Sequence, residues 1–182
     1  VEGLTARAYA TGKLTRELTR NVRRIARVHK TLSAMSARGE AVPGEAEWLL
    51  DNYYVIHEVV RQIHDHLPKS YYRQLPIVPS GPNAGLPRVY LLAESILGTD
   101  NSGMTEADFR EAVQEYQQTT ALTIGEIWAV PIMLRIAVLK LLRSLADKVL
   151  ETVGERRAAK ASIAAHRRGR TGRLPEPPTD AY

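Results

Sequence analysis

The residues able to do chemistry fall into three groups, and none forms a complete catalytic set. His57, His64 and His66 invite a metal reading. His57 and His64 stand seven residues apart, two turns of one helix, so they share a face. Metal pairs on helices use i and i+4 spacing, and no carboxylates of suitable reach are grouped here. Solvent-facing or hydrogen-bonded histidines are the preferred reading, and no metal ligand is assigned. Glu47 and Asp51, one turn apart, have the spacing of an acid–base carboxylate pair, with Glu58 on the same side. Acidic residues also gather in first helical turns, where they complement the positive dipole end, and that reading is preferred. Asp51 and Asn52 could instead brace the aromatic loop that follows, with Arg88 a natural buried partner for one of these acids. The third group is Tyr71, Tyr72, Arg73, Arg88, Tyr90 and Trp128. Aromatic faces stack on sugar C–H faces and Arg bonds hydroxyls or phosphates, so Tyr71, Tyr72, Arg73, Arg88 and Trp128 are the candidate sugar contacts. Membership of a small aromatic core is the commoner use of such residues. The sequence has no Gly-rich phosphate loop, HExxH or GxSxG, and no catalytic residue is assigned.

The elements that would position these groups read as helices. In Glu45–Pro76, apolar side chains recur at Trp48, Leu49, Ile56, Val59, Val60, Ile63 and Leu67, the rhythm of one amphipathic helix that Pro68 stops. The stretch from Pro68 to Pro87 holds five prolines, so neither helix nor central strand runs through it. Its Tyr71, Tyr72, Leu75, Ile77 and Val78 predict an ordered loop wrapped over helices. Leu86–Leu97 reads as a short buried helix. Thr105 caps another, which turns Phe109, Val113 and Tyr116 inward. Thr123 and Glu126 form a capping box that opens the longest helix, roughly Thr123 to Val153. Pro131 inside it predicts a kink, or a start nearer Pro131.

Ahead of these lies a basic helix. Leu14, Leu18, Val22, Ile25, Val28 and Leu32 make its stripe, and Arg16, Arg20, Arg23, Arg24, Arg27 and Lys30 cover the other faces. Such a helix suits nucleic acid or an anionic membrane surface, but packing the stripe on a neighbour with the charges in water is the usual case. Gly39 fits its C-terminus. The expected organisation is a basic arm over 1–42, a helical core over 43–153, and a basic then Pro-rich tail or linker over 154–182.

Composition adds bounds. The chain has 182 residues, 44% of them hydrophobic, a formal charge of +5 and no cysteine. Disulfides and thiolate metal sites are excluded. The charge favours an acidic partner. The chain starts at Val, shows no signal peptide and reads as a fragment of a longer protein. Ile127–Leu142 is interrupted by Arg135 and Lys140 and reads as a core helix, not a membrane span.

Four blocks occur in a distinctive order: AEWLLDNYYVIHE, LPKSYYRQLP, GLPRVYLLAESI and LTIGEIWAVPIMLRIAVLKLLRSLA. Together they resemble the N-terminal cytosolic region of cyclic β-1,2-glucan synthases over Pro43 to Ala146. The resemblance implies a parent glycosyltransferase on the cytoplasmic face of the bacterial inner membrane. That parent would use UDP-glucose and a divalent metal to build cyclic β-1,2-glucan. It also implies a non-catalytic helical domain here, with no cofactor of its own. Its partners would be the transferase and phosphorylase-like domains of the same polypeptide, and glucan. The transferase core's acidic motifs are absent from these residues.

The expectation is an all-α fold, an antiparallel bundle of about five helices with a Pro-rich covering loop. The competing reading is a basic nucleic-acid-binding module, which requires steep salt dependence. A third use of arm and tail is contact with anionic lipid.

Overall fold

The computed structural model describes residues 12–98 and 105–167. The outer ends of the basic arm and of the tail, residues 1–11 and 168–182, lie outside them. The fold is all-α. Among the described residues seven helices follow in order: α1 Lys13–Ala37, α2 Gly44–Asp51, α3 Tyr53–His66, α4 Lys69–Tyr72, α5 Arg88–Gly98, α6 Glu106–Thr119 and α7 Ile124–Arg167. Among the described residues no helix is long and apolar enough to cross a membrane.

α7 is the hub. Its most extensive packing is against α5 and α1, and it also touches α2 and α3. The α1 stripe is buried: Leu14, Leu18, Ile25, Val28, Leu32 and Met35 sit in the same cluster as Met133, Ile136 and Leu139 of α7. The basic arm, as far as it is described, is therefore packed into the core, and its cations are left on the outside. Its C-terminus closes as a Schellman motif. Gly39, at φ 69°, donates to the Ser36 carbonyl at 2.9 Å, and Glu40 donates to the Met35 carbonyl at 3.1 Å. Its N-terminus needs a glycine for a different reason. A Cβ on Gly12 would lie 2.6 Å from the ring of the buried Tyr72.

The single helix expected from Glu45 is broken at Asn52. The Asn52 side chain donates to the Trp48 carbonyl at 2.9 Å, as does its own backbone N–H at 3.0 Å. Asparagine competes in this way with helical bonding, and the chain restarts as a second helix at Tyr53. Ala46 and Leu49 face the core from α2, and Ile56, Val60 and Ile63 do so from α3. Trp48, expected in the buried stripe, is 54% exposed, one residue off the line that Ala46, Leu49, Ile56, Val60 and Ile63 keep across the break.

The Pro-rich stretch is ordered by backbone pairing. After α4, an antiparallel bridge joins Ile77 to Pro87, Val78 donates to the Leu86 carbonyl at 2.9 Å, and Arg88 donates to the Pro76 carbonyl at 3.0 Å. Gly81 and Gly85 take the positive φ that its tip requires. Lys13 of α1 grips the tip, donating to the carbonyls of Pro82 and Ala84 at 2.8 and 3.3 Å.

α7 runs uninterrupted past Pro131 and beyond the expected end at Val153, to Arg167. α6 is the shallowest element. Phe109, Val113 and Tyr116 are half-buried against a satellite cluster of Leu92, Ile96 and Leu122.

Because Ile25 has no exposed surface, Ile25→Ala is expected to destabilise the chain by about 2–4 kcal/mol in urea unfolding. A loss below about 1 kcal/mol would show that α1 is not part of the cooperative core.

Candidate functional site

At the start of α7 a carboxylate is shut away from water. Glu126 is 0% exposed. The capping-box spacing that sequence assigns to Thr123 and Glu126 brings it there. Glu126 N–H donates to Thr123 Oγ1 at 3.2 Å, while Thr123 N–H and Oγ1–H donate to Glu126 Oε2 at 2.9 and 3.0 Å. A buried carboxylate needs a counter-charge as well. Arg88, at the start of α5, supplies it in a bidentate pair, Nε to Oε1 at 2.6 Å and Nη2 to Oε2 at 2.7 Å. The same Nη2 donates to the Ala121 carbonyl at 2.9 Å. Burial alone would raise the Glu126 pKa. The hydrogen bonds from Arg88 and Thr123 outweigh it and hold the carboxyl below the ordinary range. The buried partner foreseen for Arg88 among Glu47, Asp51 and Glu58 is thus a different acid, 38 residues away in sequence. Glu47 and Asp51 are exposed on α2, and Glu58 is committed to Arg61 at 2.6 Å.

The aromatic candidates divide around this node. Tyr71 is half-buried and its hydroxyl donates to the Gly125 carbonyl, tying α4 to the same turn. Tyr72 is buried over Gly12. Tyr90 is buried and donates to Glu94 Oε1 at 2.8 Å; burial first, then Glu94, raises its phenol pKa far above the usual value. Trp128 is 73% exposed and Arg73 is also exposed. Of the five residues proposed to touch sugar, only Trp128 and Arg73 are exposed. Arg88 and Tyr71 are engaged in bracing the α5–α7 junction. At Thr105, the second expected cap, the hydroxyl accepts from Asp108 N–H at 3.3 Å and Asp108 Oδ2 accepts from Thr105 N–H at 2.7 Å.

The histidines do not converge. His57 meets Tyr53 edge-on at 4.8 Å between centroids, and Tyr53 stacks on His29 at 3.8 Å. Burial, and then the nearby His57, lowers the His29 pKa. His66 is exposed. Among the described residues no group of three or more His, Asp, Glu or Cys is arranged to hold a metal.

Two features escaped the sequence reading. The His29–Tyr53–His57 ring stack joins α1 to α3 across 28 residues of chain and carries no local signal. An apolar groove of about 590 Å³ lies between α2 and α7, lined by Trp48, Leu49, Leu142, Leu145 and Val149.

No family model matches the chain. A curated relative does. The chain is 34% identical over 139 residues to the cyclic beta-(1,2)-glucan synthase NdvB of Rhizobium meliloti (strain 1021). The match covers 76% of this chain and 5% of that protein, so the chain spans about one-twentieth of its relative's length.

Removing Arg88 would strand the Glu126 charge. Arg88→Met is expected to cost about 3 kcal/mol in urea unfolding, the low end of the range because Arg88 is partly hydrated. Because the folded pKa of Glu126 is depressed, its contribution is complete above about pH 4.5, the value of an unperturbed glutamate, and is lost as pH falls through the folded value. Glu126→Gln should therefore have a shallower acid limb than wild type when stability is measured from pH 5 down to pH 2. Parallel limbs would refute the assignment.

Proposed function

Since the chain is homologous to a segment of the cyclic beta-(1,2)-glucan synthase NdvB, we propose that it is a non-catalytic helical domain of such a synthase. The parent polypeptide would transfer glucose from UDP-glucose into cyclic β-1,2-glucan, with its divalent metal bound outside this segment. The sequence match to NdvB carries the reading. The chemistry of the buried node supports it. Both oxygens of Glu126 are engaged by Arg88 and Thr123 and its pKa is depressed, which suits a brace rather than a general acid. The domain's work is then to dock on the other parts of the synthase. Trp128 and Arg73 are the side chains best placed to meet glucan on the way.

Two measurements test this. Purified chain incubated with UDP-glucose and a divalent cation is expected to transfer no glucose; any transfer by the pure chain would overturn the non-catalytic reading. An antibody raised to residues 45–146 should detect, in membranes of the source cells, a polypeptide many times larger than this chain that makes glucan when captured. A soluble band no larger than the chain would overturn the parentage.

A further inference from the structure

From Ile127 to Leu139, α7 carries apolar side chains around its whole circumference save Arg135. Its inner face, including Ala129, Met133 and Ile136, is buried. Its outer face repeats apolar residues at alternating intervals of four and three: Ile127, Pro131, Leu134, Val138, Leu141 and Leu145. Leu134 is half-buried, but Ile127, Val138, Leu141 and Leu145 are each 43–48% exposed. A helix apolar on all sides belongs in an interior. An alternating four–three spacing is a 3.5-residue repeat, the seam that accepts the knobs of a second helix. At its C-terminal end the seam runs into the groove walled by Trp48 of α2, whose lining also holds Glu45, Lys148 and Arg156.

Shape and charge narrow the occupant. A flat bilayer does not enter a groove between two helices, whereas an amphipathic helix does. A second copy fits poorly. Antiparallel seams would pair Ile127 with Leu145 and Leu134 with Val138, which brings the two Arg135 side chains together beside the axis. Arg135, half-buried at the edge of this arc, is its one charged residue between Ile124 and Leu145; it donates to the Pro131 carbonyl at 3.3 Å and makes no ion pair among the described residues, so a carboxylate opposite would complement it. Nearly all of NdvB lies outside the matched stretch, which covers 5% of it.

We propose that this seam and groove receive an amphipathic helix from another part of the same polypeptide. Its apolar positions would follow the same 3.5-residue repeat, and a carboxylate would face Arg135. This rests on the reading of the chain as a segment of a synthase.

The test is site-specific photo-crosslinking in the full-length chain in its source cells. A benzophenone amino acid replaces Val138 in one strain and the exposed Arg20 in another. Irradiation at position 138, but not at 20, should link one helical, acid-bearing peptide of the same polypeptide. Arg135→Glu should lower that yield roughly ten-fold. Links from position 138 to a second copy of this segment, to another protein or to lipid, or no link, would overturn the proposal. Val138→Glu separates docking from folding. In the isolated chain it should shift Tm by no more than about 3 °C, since the side chain is half-exposed, and in the full-length chain it should open the domain to protease. Unchanged protease resistance would count against docking. Crosslinking reads the contact whether or not glucan is made. A large glucan-making protein without the internal link sinks the docking alone, and a small free polypeptide sinks the parentage instead.

Discussion

A carboxylate without access to water obliges its surroundings to be in place. Glu126 is ionised inside the protein because Arg88 grips both its oxygens and Thr123 bonds one of them. Those three residues come from the start of α5 and the start of α7, and Arg88 reaches the Ala121 carbonyl in the turn between α6 and α7. Tyr71 adds α4 through Gly125. Four elements thus share one hydrogen-bonded knot, and losing Arg88 from it leaves the Glu126 charge unpaired in a poorly solvated place. The α5–α7 packing, the largest helix contact in the fold along with α1–α7, begins at this knot.

From there α7 organises the remainder. It buries apolar side chains over most of its first six turns, and α1, α2, α3 and α5 arrange themselves around it. The basic character of the chain is a consequence of this arrangement. Arg16, Arg20, Arg23, Arg27 and Lys30 are exposed because the opposite face of α1 is needed against α7, and Arg24 is held to Asp147 at 2.5 Å. Charge of this kind keeps a helix face in water without specifying what binds there.

What the sequence reveals here depends on range. The Thr123–Glu126 box, the Gly39 terminus and the α1 stripe are local patterns, and periodicity or spacing displays them directly. Arg88 cannot be matched to Glu126 from spacing, because any of several acids could have met it and only the packing of α5 on α7 selects one. The break at Asn52 is local but was outvoted. The apolar rhythm from Leu49 to Leu67 runs unbroken across it, and only the side-chain bond to the Trp48 carbonyl marks the break. Among the sugar candidates, residue type pointed to Tyr71, Tyr72 and Arg88 equally with Trp128, yet burial and hydrogen bonding divide them. Aromatic residues serve cores and surfaces with the same side chain, so composition does not separate the two.

The far end of α7 has a mechanical meaning. Val153 is its last buried residue, and from Gly154 to Arg167 the helix continues for roughly four turns, on the order of 20 Å. Arg157 pairs with Glu40, so the overhang is anchored near its base. A helical rod transmits orientation as well as distance. Inserting one residue after Arg157 would advance the rest of the helix, up to Arg167, by about 1.5 Å and rotate it by about 100°. Insertions of one residue and of seven would differ sharply in the angle they impose. The overhang is therefore a gauge of phase over its own length, in which residue number sets the direction each side chain from Gly154 to Arg167 faces.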